Sequence, residues 1–215
     1  MRQLLLRVAI YLLLASPAIP NGAAAQYLFM DTNGDGRCDF EDLIQSPVDT
    51  IDVWLDTSQD GHGSPAVCPT GGEMSISGYE LVLRADTYPT GSVAFGVWTN
   101  LIPQFTSDLG TIQEGNLLRV GHASLGSTTD LPAGKYLLGR VSVQFFSTKC
   151  KRVAPANTAV IGQEQYETKF YSLCPGAAGD YQIRLGSDFG DYCEVGDLCD
   201  DVKGTTWGKI KQRYH

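Results

Sequence analysis

The sequence predicts an all-β sandwich. Short runs of alternating apolar and polar residues recur along the chain, with Gly, Pro, Asn and Asp between them. Before the last eleven residues, no segment has a convincing helical period, and no internal repeat is evident. Many short strands separated by turn residues are typical of a β-sandwich.

We interpret the N-terminus as a secretory signal peptide. Arg2 and Arg7 precede an apolar run over residues 8–15, and an Ala-Ala-Ala site ends at Ala25. The apolar run is too short to span a bilayer comfortably, which argues against a membrane anchor. We therefore expect cleavage after Ala25, no transmembrane segment, and a secreted or cell-surface protein that begins near Gln26.

Length and charge limit the classes of function. Removal of the leader would leave roughly 190 residues, which is enough for one domain with its own core. The formal net charge of −8 would become more negative, because the leader takes two arginines with it. An acidic chain is a poor candidate for binding nucleic acid or an anionic membrane, so we expect neither as a partner.

Eight segments have strand patterns, after a short apolar strand at residues 26–30. The clearest alternation lies in residues 48–56. The other predicted strands are residues 74–85, 92–99, 117–123, 135–146, 159–161, 168–172 and 181–185. In the strand at 92–99 we expect Val93, Phe95 and Val97 on one face and Trp98 on the other.

The most specific motif is DTNGDGRCDFED, at residues 31–42, which fits the twelve-residue calcium loop of an EF-hand. The expected Ca²⁺ ligands are Asp31, Asn33, Asp35, the backbone carbonyl of Arg37, Asp39 and Asp42. Gly36 stands where the loop must turn sharply, and Asp42 replaces the Glu that usually closes such loops. Because a strand precedes the loop instead of a helix, we expect the loop to be grafted onto β structure.

A second segment repeats the front half of this motif. Its candidate ligands for a second metal ion are Asp56, Ser58, Asp60 and His62. Gly61 supplies the turn, but the twelfth position is Val67, so a carboxylate from elsewhere would have to close the site. The alternative is a polar hairpin turn that binds no ion, and the sequence does not decide between the two.

An even number of cysteines in an exported chain predicts disulfides. The six candidates are Cys38, Cys68, Cys150, Cys174, Cys193 and Cys199. Fifteen pairings are possible, and the spacing favours three: Cys38 with Cys68, Cys150 with Cys174, and Cys193 with Cys199. A zinc site is the alternative, but the chain has no C-x-x-C pair and its three histidines are scattered.

Two parts of the chain resemble known families. The loop at 31–42 is similar to the calcium loop of dockerin modules, which also closes with Asp, although the second dockerin repeat is missing. The patterns IDVWL at 51–55, ISGYELVL at 76–83 and GKYLLGRVSV at 134–143 are similar to cohesin-like sandwiches. Other jelly-roll sandwiches, including carbohydrate-binding modules, share these patterns. The resemblance implies a cohesin-like or jelly-roll β-sandwich with an N-terminal EF-hand-like calcium loop and a short C-terminal tail.

The implied role in this group is adhesion or scaffolding at the cell exterior, without catalysis. We expect Ca²⁺ as cofactor, and other extracellular proteins or further copies of this chain as partners. A subunit of a surface layer or filament is one form of such assembly, and the apolar strand at 27–30 is expected to pair edge to edge with a neighbour. The chain has no G-x-S-x-G nucleophile elbow and no H-E-x-x-H zinc motif.

A carbohydrate-binding module, with polysaccharide as partner, is the alternative function, and an accessory domain of a secreted hydrolase is a weaker one. Trp54 and Trp98 are the candidate platform for a sugar ring. Aromatic residues on strands more often serve as core or interface anchors.

The predicted organisation has four parts: a signal peptide at 1–25, an N-terminal strand and calcium loop at 26–47, a β-sandwich at 48–186, and a tail at 187–215. The tail begins as an acidic segment and ends in basic and aromatic residues. Trp207, Ile210 and Tyr214 share one face of a short predicted helix. We interpret residues 205–215 as a tag read by a receptor or a neighbouring subunit; packing onto the domain's own acidic surface is the alternative.

Overall fold

The computed structural model describes residues 26–68, 72–88, 91–124, 130–146, 148, 150–173 and 181–196. Every regular element within these ranges is a β-strand. No helix with the length and apolar character needed to cross a membrane occurs in this part of the chain. The predicted signal peptide, Cys174, Cys199 and the C-terminal tag lie outside the described residues.

The strands follow one another in short segments along the chain. They are β1 (Tyr27–Asp31), β2 (Val48–Asp56), β3 (Ser75–Tyr88), β4 (Ser92–Phe95), β5 (Thr99–Asn100), β6 (Ser107–Glu114), β7 (Leu117–Ala123), β8 (Lys135–Phe146), β9 (Cys150–Pro155), β10 (Thr158–Ile161), β11 (Glu164–Glu167), β12 (Lys169–Leu173), β13 (Tyr181–Arg184), β14 (Tyr192–Cys193) and β15 (Val195–Gly196).

The first sheet has the strand order β14-β1-β2-β8-β4, and β5 also pairs with β8. Its centre is the long antiparallel pair of β2 and β8, which runs from Val48 opposite Gln144 to Asp56 opposite Lys135. The alternation predicted for residues 48–56 is confirmed, because one face of β2 is fully buried through Ile51, Val53 and Leu55. This face forms one wall of the core.

The second sheet is built on β3. Strand β7 lies on one side of β3, with β6 beyond it, while β9 and β12 share the other side. Between β9 and β12 the chain leaves the sheet as the separate hairpin β10–β11. Thr168 fixes the base of this hairpin, since its hydroxyl donates to the carbonyl of Ala156 (2.6 Å) and accepts from the amide of Val82 (3.0 Å).

The core lies between the two sheets, and the predicted all-β sandwich is confirmed. Tyr79 of β3 is fully buried there. Its hydroxyl donates to Asn100 (3.0 Å) and accepts from the indole nitrogen of Trp98 (3.3 Å). Burial raises the pKa of Tyr79 well above its ordinary value, so the phenol stays protonated and this pair remains a neutral hydrogen-bonded unit.

The predicted strand at 92–99 breaks at Gly96. A Cβ at this position would overlap the hydroxyl of Ser142, which shows how closely the chain approaches β8 here. Beyond the break, Val97 is 86% exposed and Trp98 is buried. Phe95 is also buried, so the expectation that Phe95 and Val97 share one face and Trp98 lies on the other is wrong.

Strand β1 is an inner strand of the first sheet. It pairs with β2 on one side, from Tyr27 opposite Asp56 to Asp31 opposite Asp52, and with β14 on the other. The expectation that residues 27–30 form a free edge is therefore wrong. Since β14 comes from the predicted tail, both ends of the described chain contribute strands to the sandwich.

Candidate calcium loop and its surroundings

Residues 31–42 form a loop that begins at the last residue of β1. Asp31, the first predicted ligand, is 1% exposed, and Asp42, the last, is 2% exposed. Two glycines in the loop have left-handed backbone conformations, Gly34 with φ 81° and Gly36 with φ 73°. The sharp turn predicted at Gly36 is confirmed, and it needs a residue without Cβ.

The polar side chains of this loop accept hydrogen bonds from its own backbone. Asp31 accepts from the amide of Gly34 (2.6 Å) and from that of Gly36 (2.7 Å). Further along, amides two residues ahead donate to Asn33 (2.8 Å), Asp35 (2.8 Å) and Asp39 (2.7 Å). Because each oxygen can accept more than one bond, these contacts leave lone pairs for a cation.

Asp42 closes the loop at the position of the twelfth ligand. Its two oxygens accept from the amides of Thr32 (2.8 Å) and Asp39 (2.9 Å). Burial raises the pKa of Asp42, the two amides partly offset that effect, and the nearby carboxylates of Asp31 and Asp39 raise the pKa further. A bound cation would reverse the repulsion among these carboxylates.

The donor chemistry fits a hard cation. The predicted set combines carboxylates with the side-chain oxygen of Asn33 and the carbonyl of Arg37, and Ca²⁺ takes about six to eight such oxygens. In the described part of the chain, no three His, Cys, Asp or Glu side chains lie close enough together to hold a metal as they stand. Binding would therefore require the loop to contract around the ion.

An aromatic stack lies beside the loop, on the face of the first sheet opposite to the core. The rings of Tyr27 and Phe29 are 5.1 Å apart between centroids, and those of Phe29 and Trp54 are 6.0 Å apart. Lys135 places its ammonium 5.1 Å from the Phe29 ring and 5.3 Å from the Trp54 ring, and it donates to the carbonyl of Gly36. This contact ties the turn of the loop to β8.

The disulfide at this loop differs from the predicted pairing. Cys38 is bonded to Cys193, 155 residues further along, so the pairs of Cys38 with Cys68 and of Cys193 with Cys199 are wrong. Spacing favoured near neighbours, but the parallel pairing of β1 with β14 brings Cys193 beside the loop. Cys68 and Cys150 are also disulfide-bonded. A bond from Cys150 to Cys174 stays a prediction.

The second candidate site is a turn closed by hydrogen bonds among its own residues. Asp60 accepts from the amides of His62 (2.8 Å) and Ser64 (2.7 Å), and its own amide donates to the carbonyl of Ser64 (2.9 Å). Asp56 accepts from the hydroxyl of Ser58 (2.6 Å). The fold also brings Asp191 close, since a Cβ on Gly61 would lie 3.6 Å from that of Asp191.

Trp54 and Trp98 do not form a common platform. Trp98 is 7% exposed and packs in the core, with its ring edge-on to Tyr79. Trp54 lies on the opposite face of the first sheet, stacked on Phe29. The prediction that these two tryptophans form a platform for a sugar ring is therefore wrong.

Two features at the surface were not anticipated from the sequence. The contact of Lys135 with the loop could not be predicted from the sequence, because a lysine at the start of a strand is common and has no distinctive pattern around it. A cleft of about 400 Å³ is lined by polar and apolar residues that include Asn100, Asp108 and His122. Burial and the positive charge of Arg119 lower the pKa of His122, and Asp108 opposes them.

No family model matches this chain, and no curated protein matches it. Similar solved structures include the sixth cohesin of scaffoldin B from Acetivibrio cellulolyticus in complex with a Cel5 dockerin mutant (12% identity, 81% of this chain and 99% of that one, TM-score 0.45). A non-cellulosomal cohesin from the archaeon Archaeoglobus fulgidus is 8% identical to this chain. The match covers 89% of this chain and 99% of that one, with a TM-score of 0.42. The seventh ScaB type I cohesin from Pseudobacteroides cellulosolvens is 7% identical to this chain. The match covers 85% of this chain and 98% of that one, with a TM-score of 0.43. Likeness at this level transfers no binding property to this chain.

Proposed function

We propose that this chain is an exported, non-enzymatic β-sandwich module that binds Ca²⁺ through residues 31–42 and associates with extracellular proteins or further copies of itself. The observation that carries the proposal is the pair of buried carboxylates, Asp31 and Asp42. Neither forms a salt bridge with any of the described residues. Buried charges of one sign require a counter-charge, and an oxygen-lined loop suits a hard cation.

Calcium would act here as a structural ion. The loop is fixed to β1 at Asp31, to β14 through Cys38 and to β8 through Lys135. An ion that draws the loop together therefore braces three strands of the first sheet at once. Because the ion binds the folded chain, it stabilises by mass action, with about 2.7 kcal/mol expected at a hundredfold excess over the dissociation constant.

Association with a partner is best assigned to the same loop. Phe40 is 77% exposed and lies two residues before the closing Asp42. Aromatic side chains are enriched among the residues that dominate binding energy at protein interfaces. An ion that orders the loop would also fix the direction of Phe40, so assembly is expected to depend on calcium.

Titration calorimetry and thermal unfolding of the chain that starts at Gln26 test the calcium site. We expect saturable Ca²⁺ binding and a melting temperature several degrees higher than with chelator, and both effects should vanish in the double variant Asp31→Asn, Asp42→Asn. Asp108→Asn, an exposed carboxyl on β6, is the matched control. Absence of binding heat together with an unchanged melting temperature would contradict the proposal.

Analytical ultracentrifugation tests the association. We expect Ca²⁺ to promote oligomers, or complexes with extracellular proteins of the source cells, and Phe40→Ala to weaken them while leaving the calcium affinity unchanged. Val160→Ala is the control for an exposed apolar side chain elsewhere. Assembly that is equal in chelator, or equally weakened by both variants, would overturn the assignment to this loop.

A further inference from the structure

A second cavity lies beside the first described residue of the chain. Its volume is about 250 Å³, and it is lined by Gln26 on one side and by residues 186–191 on the other. The two acidic residues of that segment are Asp188 and Asp191. Neither forms a salt bridge with any residue in the described ranges. The cavity therefore carries two carboxylates without a cationic partner among these residues.

Side-chain oxygens of the residues that line this cavity can accept further hydrogen bonds. One oxygen of Asp188 accepts from the amide of Arg184 (2.8 Å). Gln26 is fully buried, and its side-chain oxygen has no hydrogen-bond donor in the described part of the chain. Its side-chain nitrogen points to the sulfur of Met74 (2.6 Å). A buried acceptor without a donor costs free energy, which indicates that a donor is missing from this place.

The pairing of β1 with β14 sets the direction of the backbone nitrogen of Gln26. Leu28 lies opposite Tyr192 in the parallel register, and its amide donates to the carbonyl of Asp191 (3.3 Å). Backbone N–H groups two residues apart in an extended chain point to the same side. The nitrogen of Gln26 is therefore directed toward the segment that carries Asp188 and Asp191.

We propose that cleavage after Ala25 creates the missing cation: the new α-ammonium group of Gln26 occupies this cavity and pairs with Asp191 and Asp188. The inference rests on the proposed function, because it requires a leader that is removed. Hydrolysis of the Ala25–Gln26 bond consumes one water and yields the carboxylate of Ala25 and the amine of Gln26, which is protonated. An uncharged amide with one N–H thereby becomes a charged group with three donors.

This ion pair would act as a latch that exists only in the processed protein. Before cleavage, the N-terminal end of β1 is attached to its neighbour by neutral backbone contacts. After cleavage, a charge-assisted bond holds β1 to the segment that leads into β14, close to the disulfide of Cys193. Processing and tightening of this corner of the sandwich are then a single event.

The test compares three proteins released from a removable N-terminal fusion: the chain starting at Gln26, the same chain with one additional alanine in front, and the Gln26 chain with Asp191→Asn. Nitrogen-15 NMR then measures the pKa of each α-amine. We expect it to lie about one unit or more above the ordinary 7.7–8.0 in the first protein, and to return toward that range in the other two. Asp108→Asn in the Gln26 chain is the control and leaves the value unchanged.

Thermal unfolding is an independent readout. A raised folded-state pKa contributes stability that is fully present below the ordinary value and is lost as pH rises through the raised one. The Gln26 chain should therefore melt a few degrees above the alanine-extended chain at pH 7, and the difference should disappear by about pH 10. Equal melting temperatures at pH 7 would overturn the latch.

Three further outcomes would overturn the proposal, each in a recognisable way. A mass lower by one ammonia means that Gln26 has cyclised and carries no charge. A loss of Ca²⁺ binding on Asp191→Asn means that the carboxylate closes a calcium site with the turn at 56–64. If N-terminal sequencing shows that the exported protein begins at a residue other than Gln26, the cleavage step is refuted. Failure of the calcium loop is separate, because titration of the same samples measures binding at residues 31–42 directly.

Discussion

Two loops of this chain begin with almost the same residues and end differently. Residues 31–36 begin at the last residue of β1 and residues 56–61 at the last residue of β2, each with Asp at the first and fifth positions and Gly at the sixth. The first loop is closed by a side chain of its own, Asp42, which accepts from the amide of Thr32. The second is closed between Asp60 and Ser64, by one backbone hydrogen bond and by the bond that the Ser64 amide donates to the Asp60 carboxylate. The front half of the motif thus builds a turn, and the closing carboxylate distinguishes a candidate ion site from an ordinary turn.

The pKa values of the two key carboxyls, Asp42 in the first loop and Asp60 in the second, are shifted in opposite directions. Asp42 has a raised pKa because burial and the neighbouring carboxylates outweigh the amides that bind it. Burial also acts to raise the pKa of Asp60, but the amides of Ser64 and His62 and the imidazole of His62 lower it below the ordinary value. Asp60 is therefore satisfied as an anion by its own turn, whereas Asp42 forms no salt bridge with any of the described residues.

Removal of the disulfide between Cys38 and Cys193 should have the largest effect, because this bond ties the first loop to a distant strand. The double variant Cys38→Ala, Cys193→Ala is expected to lose about 2–5 kcal/mol of unfolding free energy, since the bond closes a very long segment of chain. Urea unfolding measures this loss, and calcium affinity should fall with it. A loss below about 1 kcal/mol would mean that β14 holds the loop without the bond.

Exchange of the closing carboxyl tests the comparison directly. Asp42→Asn is expected to weaken Ca²⁺ binding by at least about a hundredfold. This loss is larger than that caused by replacing residues that only hydrogen-bond to metal ligands. Asp60→Asn should leave the affinity within about twofold, because its carboxylate serves the turn. Calorimetric titration gives both values. Equal losses would show that the turn at 56–64 also contributes to ion binding.

Alanine at a turn glycine separates backbone strain from ion binding. Gly36 and Gly63 both have left-handed backbone, with φ of 73° and 79°. An added methyl group meets no close obstacle at either position, so each substitution should cost about 1–2 kcal/mol from backbone strain alone. Only Gly36→Ala should also weaken Ca²⁺ binding, because relief of the backbone strain would displace the amide of residue 36, which donates to Asp31. If both variants weaken it equally, the loss reflects general destabilisation.

The smallest expected effect is a difference in titration. In the calcium-free protein, carbon-13 NMR should show the carboxyl of Asp42 titrating above about 3.9 and that of Asp60 below it. Asp60 contributes stability that is lost as pH falls through its lowered pKa, whereas stability declines as pH rises through the raised pKa of Asp42. Added Ca²⁺ should abolish the second effect alone. Two carboxyls that titrate together would remove this distinction between the loops.

Local patterns in the sequence predicted much of the fold. The strands at 48–56, 117–123 and 135–146 have the predicted bounds, and the alternation of apolar and polar residues is clearest at 48–56. Strand β6 was missed because its side chains are mostly exposed and polar. Strand β9 was missed because basic residues and a proline dilute its apolar pattern. The turn at Gly36 was predictable for the same local reason, since few residues other than glycine adopt that backbone conformation.

The surroundings of the candidate site were not predictable from local patterns. Lys135 reaches the loop across 99 residues of sequence, and Cys193 reaches it across 155. Both contacts depend on the order of strands in the first sheet, in which β14 lies beside β1. A two-residue strand has no detectable pattern in the sequence, so neither the disulfide nor the cavity beside Gln26 could be inferred from spacing.

The parallel pairing of β1 with β14 has a consequence for how the chain comes into being. During synthesis, Cys38 emerges 155 residues before its partner. At about 5–20 residues per second, the ribosome needs about 8–30 s to cover that distance. Throughout this interval β1 can form its hairpin with β2, but the other flank of the loop does not yet exist. The first strand to be made is therefore among the last to be completed, and the loop at 31–42 reaches its final surroundings only when nearly the whole polypeptide is present.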